Sequence, residues 1–338
     1  MAKVAVVILN YNGRQYLEKF LPDVIRHSSD SDIYVADNKS SDTSISFLKE
    51  HFPEINLILL ETNNGYAAGY NLALKQVEAE YYILLNSDIE VTANWINPIV
   101  DFMDSHPNVA ACQPKILDYK NKEYFEYAGA AGGYLDILGY PYCRGRIFDT
   151  LEKDHGQYDS NQQVFWATGA CMFIRSEVFH QLGGFDESFF AHMEEIDLCW
   201  RINMSGKQVY CIPESKVFHV GGGTLAKSNP QKTYLNFRNN LTMLYKNSTG
   251  ISLFWKLPLK FLLDILASLK FWKDNSFDHF TAVFKAYSFF VKKIPENNLT
   301  RLNLKKNNLS TPLSNSLTPV QYYLFGKKHF SDLTKQHE

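Results

Sequence analysis

Hydrophobic and polar positions follow a regular alternation over the first 113 residues of the chain. Short continuous runs of apolar, often β-branched residues predict strands that are buried on both faces. Between these runs, apolar residues recur at helical spacing and predict amphipathic helices. The predicted strands cover residues 3–9, 32–36, 56–61, 81–85 and 109–113, and the predicted helices cover residues 14–26, 43–51, 65–78 and 94–105. This order predicts an α/β fold, with a mostly parallel central sheet and helices on both faces.

Polar clusters follow four of the predicted strands. They are Asn10–Asn12, Asp37–Asn38, Asn63–Asn64 and Asn86–Asp88. Ligands of parallel sheets bind beyond the carboxyl ends of the strands. Any one cluster is explained as an ordinary polar loop, but four clusters at equivalent strand ends indicate a ligand site.

The alternation becomes less regular after residue 113. Strands are predicted near 164–175, 207–212 and 215–219, helices near 177–182 and 194–205, and a glycine loop at 221–223. From residue 231 the pattern is helical. We therefore predict a catalytic domain over residues 1–230, a basic amphipathic helical extension over 231–296, and a poorly ordered or irregular tail over 297–338.

Charge is distributed unevenly along the 338 residues. The net charge is −2, yet residues 231–338 carry 16 Lys and Arg against 6 Asp and Glu. The first 230 residues carry 18 basic against 30 acidic side chains. An acidic body is not expected to bind nucleic acid. The basic part could meet an anionic surface.

Two stretches of the extension have a broad apolar stripe at helical spacing, residues 251–272 and 277–293. Lys256, Lys260, Asp264 and Lys270 interrupt the first stretch, so it is a poor candidate for a membrane span. Either stretch could lie in a membrane interface, or pack on the catalytic domain or a second subunit. Periodicity alone leaves these alternatives open.

The five cysteines are widely spaced and form no CxxC motif. This spacing excludes a zinc ribbon and favours reduced thiols in a cytoplasmic protein. We also expect no signal peptide, because the apolar run at 4–9 soon meets polar residues. The expected location is cytoplasmic, with peripheral association at the inner face of a membrane as a further option.

Two groups of residues carry candidate chemistry. Asp88 leaves a buried strand and His219 ends a later one, and together they could hold a hard divalent cation. On the helix predicted near 194–205, Glu194 and Glu195 begin the first turn, where acids are also favoured by the helix dipole. Apolar residues before this pair could raise a carboxyl pKa, as a general base requires.

Three common signatures are absent. The sequence contains no GxxxxGK[ST] motif, no GxGxxG motif after the first strand and no GxSxG motif. P-loop enzymes, Rossmann dehydrogenases and hydrolases with a serine elbow are therefore disfavoured.

Taken together, the motifs resemble those of the family 2 glycosyltransferases, in the bacterial rhamnosyltransferase-like branch. The matching segments occur in family order at 6–12, 37–42, 63–71, 84–88, 167–175, 183–190, 194–201 and 219–223. The resemblance covers about residues 3–245. It implies a GT-A fold, a nucleotide-diphosphate sugar donor, Mg²⁺ or Mn²⁺, and inversion at the anomeric carbon.

The resemblance also implies roles for individual residues. The implied metal ligands are Asp88 and His219, and the implied catalytic helix carries Glu195 as base with Glu194, Asp197 and Arg201 beside it. The implied nucleotide-sugar contacts are Asn10, Asn12, Asp37, Asn64, Gly65, Ala67, Gly69, Asn71, Asn86, Thr168, Gly169 and Arg201. Asn86 replaces the usual first acid of the metal motif, and the Glu-Glu pair leaves Glu194 open as an alternative base.

The expected function is transfer of a sugar, with rhamnose suggested by the branch, to a hydroxyl of a glycan or lipid-linked saccharide in cell-surface polysaccharide synthesis. Asp37 could accept a hydrogen bond from the N3–H of uracil or thymine, which favours a pyrimidine donor. Two alternatives remain. One is a nucleotidyltransferase that makes nucleotide-diphosphate sugars, and the other is a non-catalytic sugar-binding or membrane-scaffold protein.

Overall fold

The fold was analysed in a computed structural model, which describes residues 2–221, 228–274, 276–303 and 308–334. The first elements are β1 (Ala2–Asn10), α1 (Arg14–His27), β2 (Asp32–Asp37), α2 (Ser44–His51), β3 (Asn56–Leu59), α3 (Gly65–Leu74), β4 (Ala79–Asn86), β5 (Ile89–Val91), α4 (Asn97–Ser105) and β6 (Val109–Asp118). Next come β7 (Gly133–Leu135), β8 (Pro141–Cys143), β9 (Arg146–Ile147), β10 (Thr150–Leu151), β11 (Gln162–Val164), β12 (Cys171–Arg175), α5 (Ser176–Gln181), a 3-10 turn (Glu187–Phe189), α6 (Glu194–Met204) and β13 (Gln208–His219). The last are α7 (Pro230–Asn247), α8 (Gly250–Asp274), α9 (Phe277–Asn303), α10 (Thr318–Tyr323) and α11 (Phe330–Thr334).

The central sheet has the strand order β11-β13-β6-β12-β4-β1-β2-β3, and β5 pairs with β13 beside this path. The first four predicted strands pair in parallel, as expected from their alternation with helices. β6 and β13 are also parallel, whereas β12 is antiparallel to both β4 and β6. A second, smaller sheet has the order β10-β9-β8-β7.

Helices cover both faces of the central sheet, which confirms the predicted fold class. On one face, Leu17 of α1 and Ile99 of α4 pack into a core with the strand residues Val6 and Ile83. On the other face, Tyr70 of α3 and residues of α5 and α6 pack against the alternate strand positions. Alternate residues of a strand point to opposite faces, so a strand that is covered by helices on both faces has apolar residues at successive positions.

The strands predicted at 207–212 and 215–219 form one strand, β13. The register of β13 against β6 shifts between Ile212 and Lys216, so an irregularity in a single strand accounts for the break in the sequence pattern. Of the predicted glycine loop, Gly222 and Gly223 lie outside the described residues.

The helical extension is confirmed as α7, α8 and α9, with α9 packed between the other two. No helix in the described residues is long and apolar enough to cross a membrane. The predicted boundary at residues 296 and 297 falls inside α9, which continues past Pro295. After it, residues 310–318 run back along the catalytic domain, where the N–H of Ser314 donates to the Leu135 carbonyl at 2.9 Å.

Candidate active site

The ends of β1 and β2 bring Asn10 and Asp37 into a buried contact. The parallel register places these residues opposite each other, and Asn10 Nδ2 donates to Asp37 Oδ2 at 3.0 Å. The second oxygen of Asp37 accepts from the N–H of Ser40 at 2.8 Å. Asn10 Oδ1 is buried with no hydrogen-bond partner among the described residues. A carboxylate fixed in this way keeps lone pairs for a further donor, such as a ring N–H of a base.

Asn12 shapes the loop that follows Asp37. Its φ of 51° is left-handed, a conformation that asparagine tolerates better than most residues. Asn12 Oδ1 accepts from the N–H groups of Ser41 at 2.7 Å and Asp42 at 3.2 Å. The structure therefore places Asn12 as a support for the β2–α2 loop.

The start of α3 is pressed against the turn that precedes α6. The N–H groups of Tyr66 and Ala67 donate to the carbonyl of Phe190 at 2.6 and 3.2 Å. Gly65 has a φ of +85°, and a Cβ there would lie 2.4 Å from the same carbonyl oxygen. Only glycine fits this position, because both the conformation and the close approach exclude a side chain.

Two further predicted contact residues on α3, Gly69 and Asn71, are engaged in contacts within the protein. A Cβ on Gly69 would lie 3.0 Å from Leu9, so this glycine allows the helix to approach β1. The buried amide of Asn71 bonds both the N–H and the carbonyl of Phe185, each at 2.9 Å. Asn64, just before the helix, is exposed.

Asp88 and His219 are brought together by the antiparallel pairing of β5 and β13, in which His219 lies opposite Ile89. Their side chains are buried, and His219 Nε2 lies 3.2 Å from Asp88 Oδ1. On the other side of the ring, His219 Nδ1 lies 3.3 Å from Glu126 Oε2. The sequence analysis did not identify Glu126, which lies in the region without a clear pattern.

The two carboxylates control the charge of this cluster. Burial lowers the pKa of His219, but the negative charge of Glu126 and the hydrogen bond to Asp88 outweigh it and raise the pKa to about 10. Burial opposes ionisation of Asp88, yet the hydrogen bond and charge of His219 lower its pKa overall. The two carboxylates therefore favour the protonated ring, whereas a divalent cation would require the neutral ring, since a ligating imidazole is neutral.

The donor set fits Mg²⁺ or Mn²⁺. Oxygen and imidazole ligands without a thiolate suit hard and intermediate cations. Adjacent ligands of an octahedral ion with bonds of about 2.1 Å lie about 3 Å apart, close to the separation of Asp88 and His219. Within the described residues, no group of three or more His, Cys, Asp or Glu side chains is arranged to hold an ion. Two protein ligands would leave positions for phosphate oxygens.

Glu194 and Glu195 begin α6, and each carboxyl group keeps one oxygen unpaired. One oxygen of each is buried without a hydrogen-bond partner among the described residues, and so is Nε2 of His192. Burial raises the pKa of Glu195 to about 7. Burial, followed by the charge of Glu195, raises the pKa of Glu194 well above its usual value. Both pKa shifts favour the protonated forms, and the charge of Glu195 adds to the effect of burial at Glu194.

The turn before this pair is strained. Phe190, His192 and Met193 all have positive φ values, of 64°, 71° and 73°. Such conformations cost about 1–3 kcal/mol each and persist only where surrounding contacts enforce them.

The enforcing contacts come from α7. Asn239 Nδ2 donates to the carbonyls of Phe189, Ala191 and His192 at 2.9, 2.9 and 2.7 Å. Arg238 donates to the Phe189 carbonyl at 2.7 Å. The sequence analysis missed both residues. Their only signal was a pair of polar residues inside an otherwise amphipathic helix.

Asp197 and Arg201 lie on the same helix, and their polar atoms are engaged within the protein. Arg201 Nε donates to Asp197 Oδ2 at 2.9 Å, and its two terminal nitrogens donate to the carbonyls of Leu182 and Gly184, each at 2.8 Å. The second Asp197 oxygen accepts from Asn247 at 2.8 Å. These contacts fix α6 between the end of α5 and the end of α7.

The segment at 168–170 joins the two parts of the site. The N–H of Asn86 donates to the Ala170 carbonyl at 2.9 Å, next to the metal-ligand candidates. Tyr66 donates its hydroxyl to the Gly169 carbonyl at 2.6 Å. Burial, then the charges of Tyr70 and the Glu194 pair, raise the Tyr66 pKa, so it stays a hydrogen-bond donor. Thr168 is buried, with its N–H bound to Gln113 at 3.0 Å.

Comparisons with known proteins agree with this arrangement. The model of the family "Glycosyl transferase family 2" matches residues 5–183, which is more than half of the chain. The N-acetylglucosaminyl-diphospho-decaprenol L-rhamnosyltransferase of Mycobacterium tuberculosis is 24% identical over 274 residues, which cover 76% of this chain and 88% of that protein. Rhamnosyltransferase WbbL of Escherichia coli is 22% identical over 64% of this chain and 83% of its own length.

Solved structures show the same fold. GalNAc-T7, crystallised with UDP, GalNAc and Mn²⁺, aligns with a TM-score of 0.58 at 14% identity over 91% of this chain. The chain spans 59% of that structure. TarS of S. aureus aligns with a TM-score of 0.53 at 15% identity, over 87% of this chain and 49% of that one. The family match and the shared GT-A fold confirm the resemblance found in the sequence: this chain belongs to glycosyl transferase family 2.

Proposed function

We propose that this protein is an inverting, metal-dependent glycosyltransferase, with Glu195 as the general base. The observation that carries the proposal is the carboxyl pair at the start of α6, in which each residue keeps one buried oxygen without a hydrogen-bond partner among the described residues. Buried polar groups are normally hydrogen-bonded, so groups left unpaired are candidates for contact with a substrate.

Glu195 is the better base of the pair. Its pKa of about 7 lets it be deprotonated and still accept a proton near neutral pH. Burial and the charge of Glu195 raise the pKa of Glu194 well above its usual value, which favours its protonated form and makes it the weaker candidate. Glu195 would remove the proton of an acceptor hydroxyl as the hydroxyl oxygen attacks the sugar C1. The bond from C1 to the donor diphosphate breaks on the opposite face, so one displacement inverts the centre.

The donor site would lie at the carboxyl ends of the strands. Asp37 and Asn10 would bind a pyrimidine base, which favours a UDP- or dTDP-sugar. Asp88 and His219 would hold Mg²⁺ or Mn²⁺ against the diphosphate. The ion would offset the negative charge that develops on the leaving group.

The names of the relatives guide the proposal for substrates. The mycobacterial relative is named for transfer of rhamnose to a decaprenol-linked sugar. We assign to this chain a rhamnose donor and a glycan or lipid-linked saccharide acceptor at the inner face of a membrane. Asp197 and Arg201 act as supports for the catalytic helix in this assignment.

Nucleotide binding gives the test of the site. UDP, dTDP and GDP, each with Mn²⁺, are compared by the rise in melting temperature, which occurs only for a ligand of the folded state. We expect UDP or dTDP to raise it and GDP to have little effect. Asp37→Asn and His219→Ala should each remove most of the rise. The absence of any nucleotide-dependent shift in the wild type would contradict the proposal.

A further inference from the structure

α8 is an amphipathic helix whose polar side faces inward. Its buried residues are Leu253, Lys256, Lys260, Asp264 and Ser268, so four of the five are polar. Its exposed large apolar residues are Ile251, Phe254, Trp255, Phe261, Leu262, Leu266, Leu269 and Trp272. The exposed charged residues Lys270, Lys273 and Asp274 lie at its C-terminal end. Helices that cover a soluble core show the opposite arrangement.

Specific contacts fix this orientation. Asp264 accepts hydrogen bonds from the hydroxyls of Tyr140, between β7 and β8, and Tyr287 of α9, at 2.5 and 2.7 Å. Lys260 Nζ lies 3.5 Å from Asp264 and 3.6 Å from the centre of the Tyr140 ring. Turning the helix over would expose these partners and bury apolar side chains where the polar groups now lie. The outward position of the apolar face is therefore set by the fold.

The exposed face is extensive. Ile251 and Phe254 are 85% and 86% exposed, and Leu262 and Leu266 are 59% and 62% exposed. Beyond the C-terminal end of the helix, Leu324 and Phe325 are 77% and 66% exposed. The two regions are neighbours, because Lys270 Nζ lies 6.0 Å from the centre of the Tyr323 ring. Contiguous exposed patches of this kind mark interaction surfaces.

The charge around the exposed face of α8 indicates which kind of partner it contacts. The first 230 residues have a net charge of −12 and the residues from 231 onward a net charge of +10. Lys273 and Lys270, which is paired with Asp274, are exposed at one end of the apolar face, and Lys285 and Lys292 are exposed on the adjacent α9. Tryptophan and phenylalanine with lysines at the rim are typical of helices that lie in a membrane interface. A second copy of the chain would bring an equally basic segment against this one, which electrostatics disfavours.

We propose that the outward face of α8, extended by Tyr323–Phe325, docks flat into the interface of an anionic lipid bilayer. The apolar side chains enter the acyl boundary, and the lysines contact lipid phosphates. The proposal rests on the orientation of α8 and the charge distribution, and is independent of the proposed reaction. It supplies a reason for a lipid-linked acceptor, because the docked enzyme would work beside the bilayer surface.

Vesicle flotation of the full chain tests this inference. The probes are vesicles of phosphatidylcholine alone and vesicles in which phosphatidylglycerol replaces one third of it. We expect binding to the anionic vesicles, weaker binding at high salt, and little binding to the neutral vesicles. The double variant Leu262→Asp/Leu266→Asp should bind the anionic vesicles about tenfold less, since both substitutions place a carboxylate in the exposed face that would enter the bilayer.

A matched variant controls for charge and folding. Gln76→Asp/Asn161→Asp also adds two negative charges, at exposed positions of the catalytic domain, and should bind like the wild type. Both double variants should keep the wild-type melting temperature and its rise with nucleotide and Mn²⁺, which separates this test from that of the reaction. Failure of the wild type to float, or equal flotation of both double variants, would overturn the proposal. The proposal would also be overturned if the wild type formed a dimer and bound no vesicles, and if Leu262→Asp/Leu266→Asp dissociated that dimer.

Discussion

Two helices of this protein bury carboxyl groups, and they do so in opposite ways. In α8, Asp264 accepts from two tyrosine hydroxyls and lies beside Lys260. At the start of α6, Glu194 and Glu195 each keep a buried oxygen without a partner among the described residues. A buried carboxylate whose partners are in place fixes the orientation of its helix. A carboxyl that keeps a buried oxygen unpaired is instead held by the rest of the fold, and that oxygen is available to a ligand.

The surroundings of the two helices follow from this difference. The α6 pair depends on a strained turn that α7 clamps from outside, so that the unfavourable groups stay in place. The α8 contacts need no strain, but they turn the apolar side of the helix outward. Breaking each arrangement should therefore affect different properties, activity for α6 and stability for α8.

The largest effect is expected from Glu195→Gln. Loss of the general base should lower kcat by about 10²–10⁴-fold, because the variant keeps the shape but cannot accept a proton. The rise in melting temperature with nucleotide and Mn²⁺ should remain. Glu194→Gln is the matched control and should retain most activity, since the raised pKa of Glu194 favours its protonated form, which glutamine resembles. Near-wild-type turnover of Glu195→Gln would show that the base lies elsewhere.

Asp264→Asn should act on stability. Removing this carboxylate leaves Lys260 buried without its opposite charge, which lowers the free energy of unfolding by about 3–5 kcal/mol. Denaturant titration measures the loss. The kcat of the folded fraction should be unchanged, and a selective loss of kcat would mean that α8 belongs to the active site after all.

Asn239→Ala tests the clamp on the turn before α6. Three carbonyls lose their common donor, so the turn should relax and kcat should fall by about 10–100-fold, as expected for a small displacement of a catalytic group. Asn240→Ala is the control on the same helix. That asparagine donates to the Gly139 carbonyl at 2.6 Å instead. Equal losses of kcat in both variants would make the effect of Asn239 a general one of α7.

The dependence of stability on pH gives a smaller effect. The folded protein holds the proton of Glu195 up to a pKa of about 7, above the ordinary value of 4.5. The stability of the wild type therefore falls as pH rises through this window, and Glu195→Gln lacks the part of the fall that Glu195 causes. At pH 8 the variant should be more stable by about 1–3 kcal/mol, and below pH 4.5 the difference should vanish. Parallel stability curves for the two proteins would contradict a raised pKa.

Much of the candidate site could be predicted from the sequence because its residues lie at strand ends. Parallel register alone brings Asn10 to Asp37, and the motif context predicted that Asp88 and His219 would meet 131 positions apart. Their roles in binding stay predictions. Glu126 was not predictable, since it lies in an irregular segment where no periodicity indicates which side chains turn inward.

The orientation of α8 also could not be predicted from the sequence. Periodicity separates a polar from an apolar face, but it does not say which face the rest of the chain covers. The polar face is covered because the hydroxyls of Tyr140 and Tyr287, which are distant in the sequence, donate to Asp264. The clamp by Asn239 is hidden for the same reason, because its three acceptors lie about 50 positions away on a turn of unusual conformation.

The pH dependence of kcat/KM tests the central claim, that Glu195 is the general base, most directly. For the wild type and Glu194→Gln, kcat/KM should fall about tenfold per pH unit below an apparent pKa near 7. The residual activity of Glu195→Gln should lack this acid limb. An acid limb near pH 4.5 in the wild type, or a limb near 7 that persists in Glu195→Gln, would contradict the account.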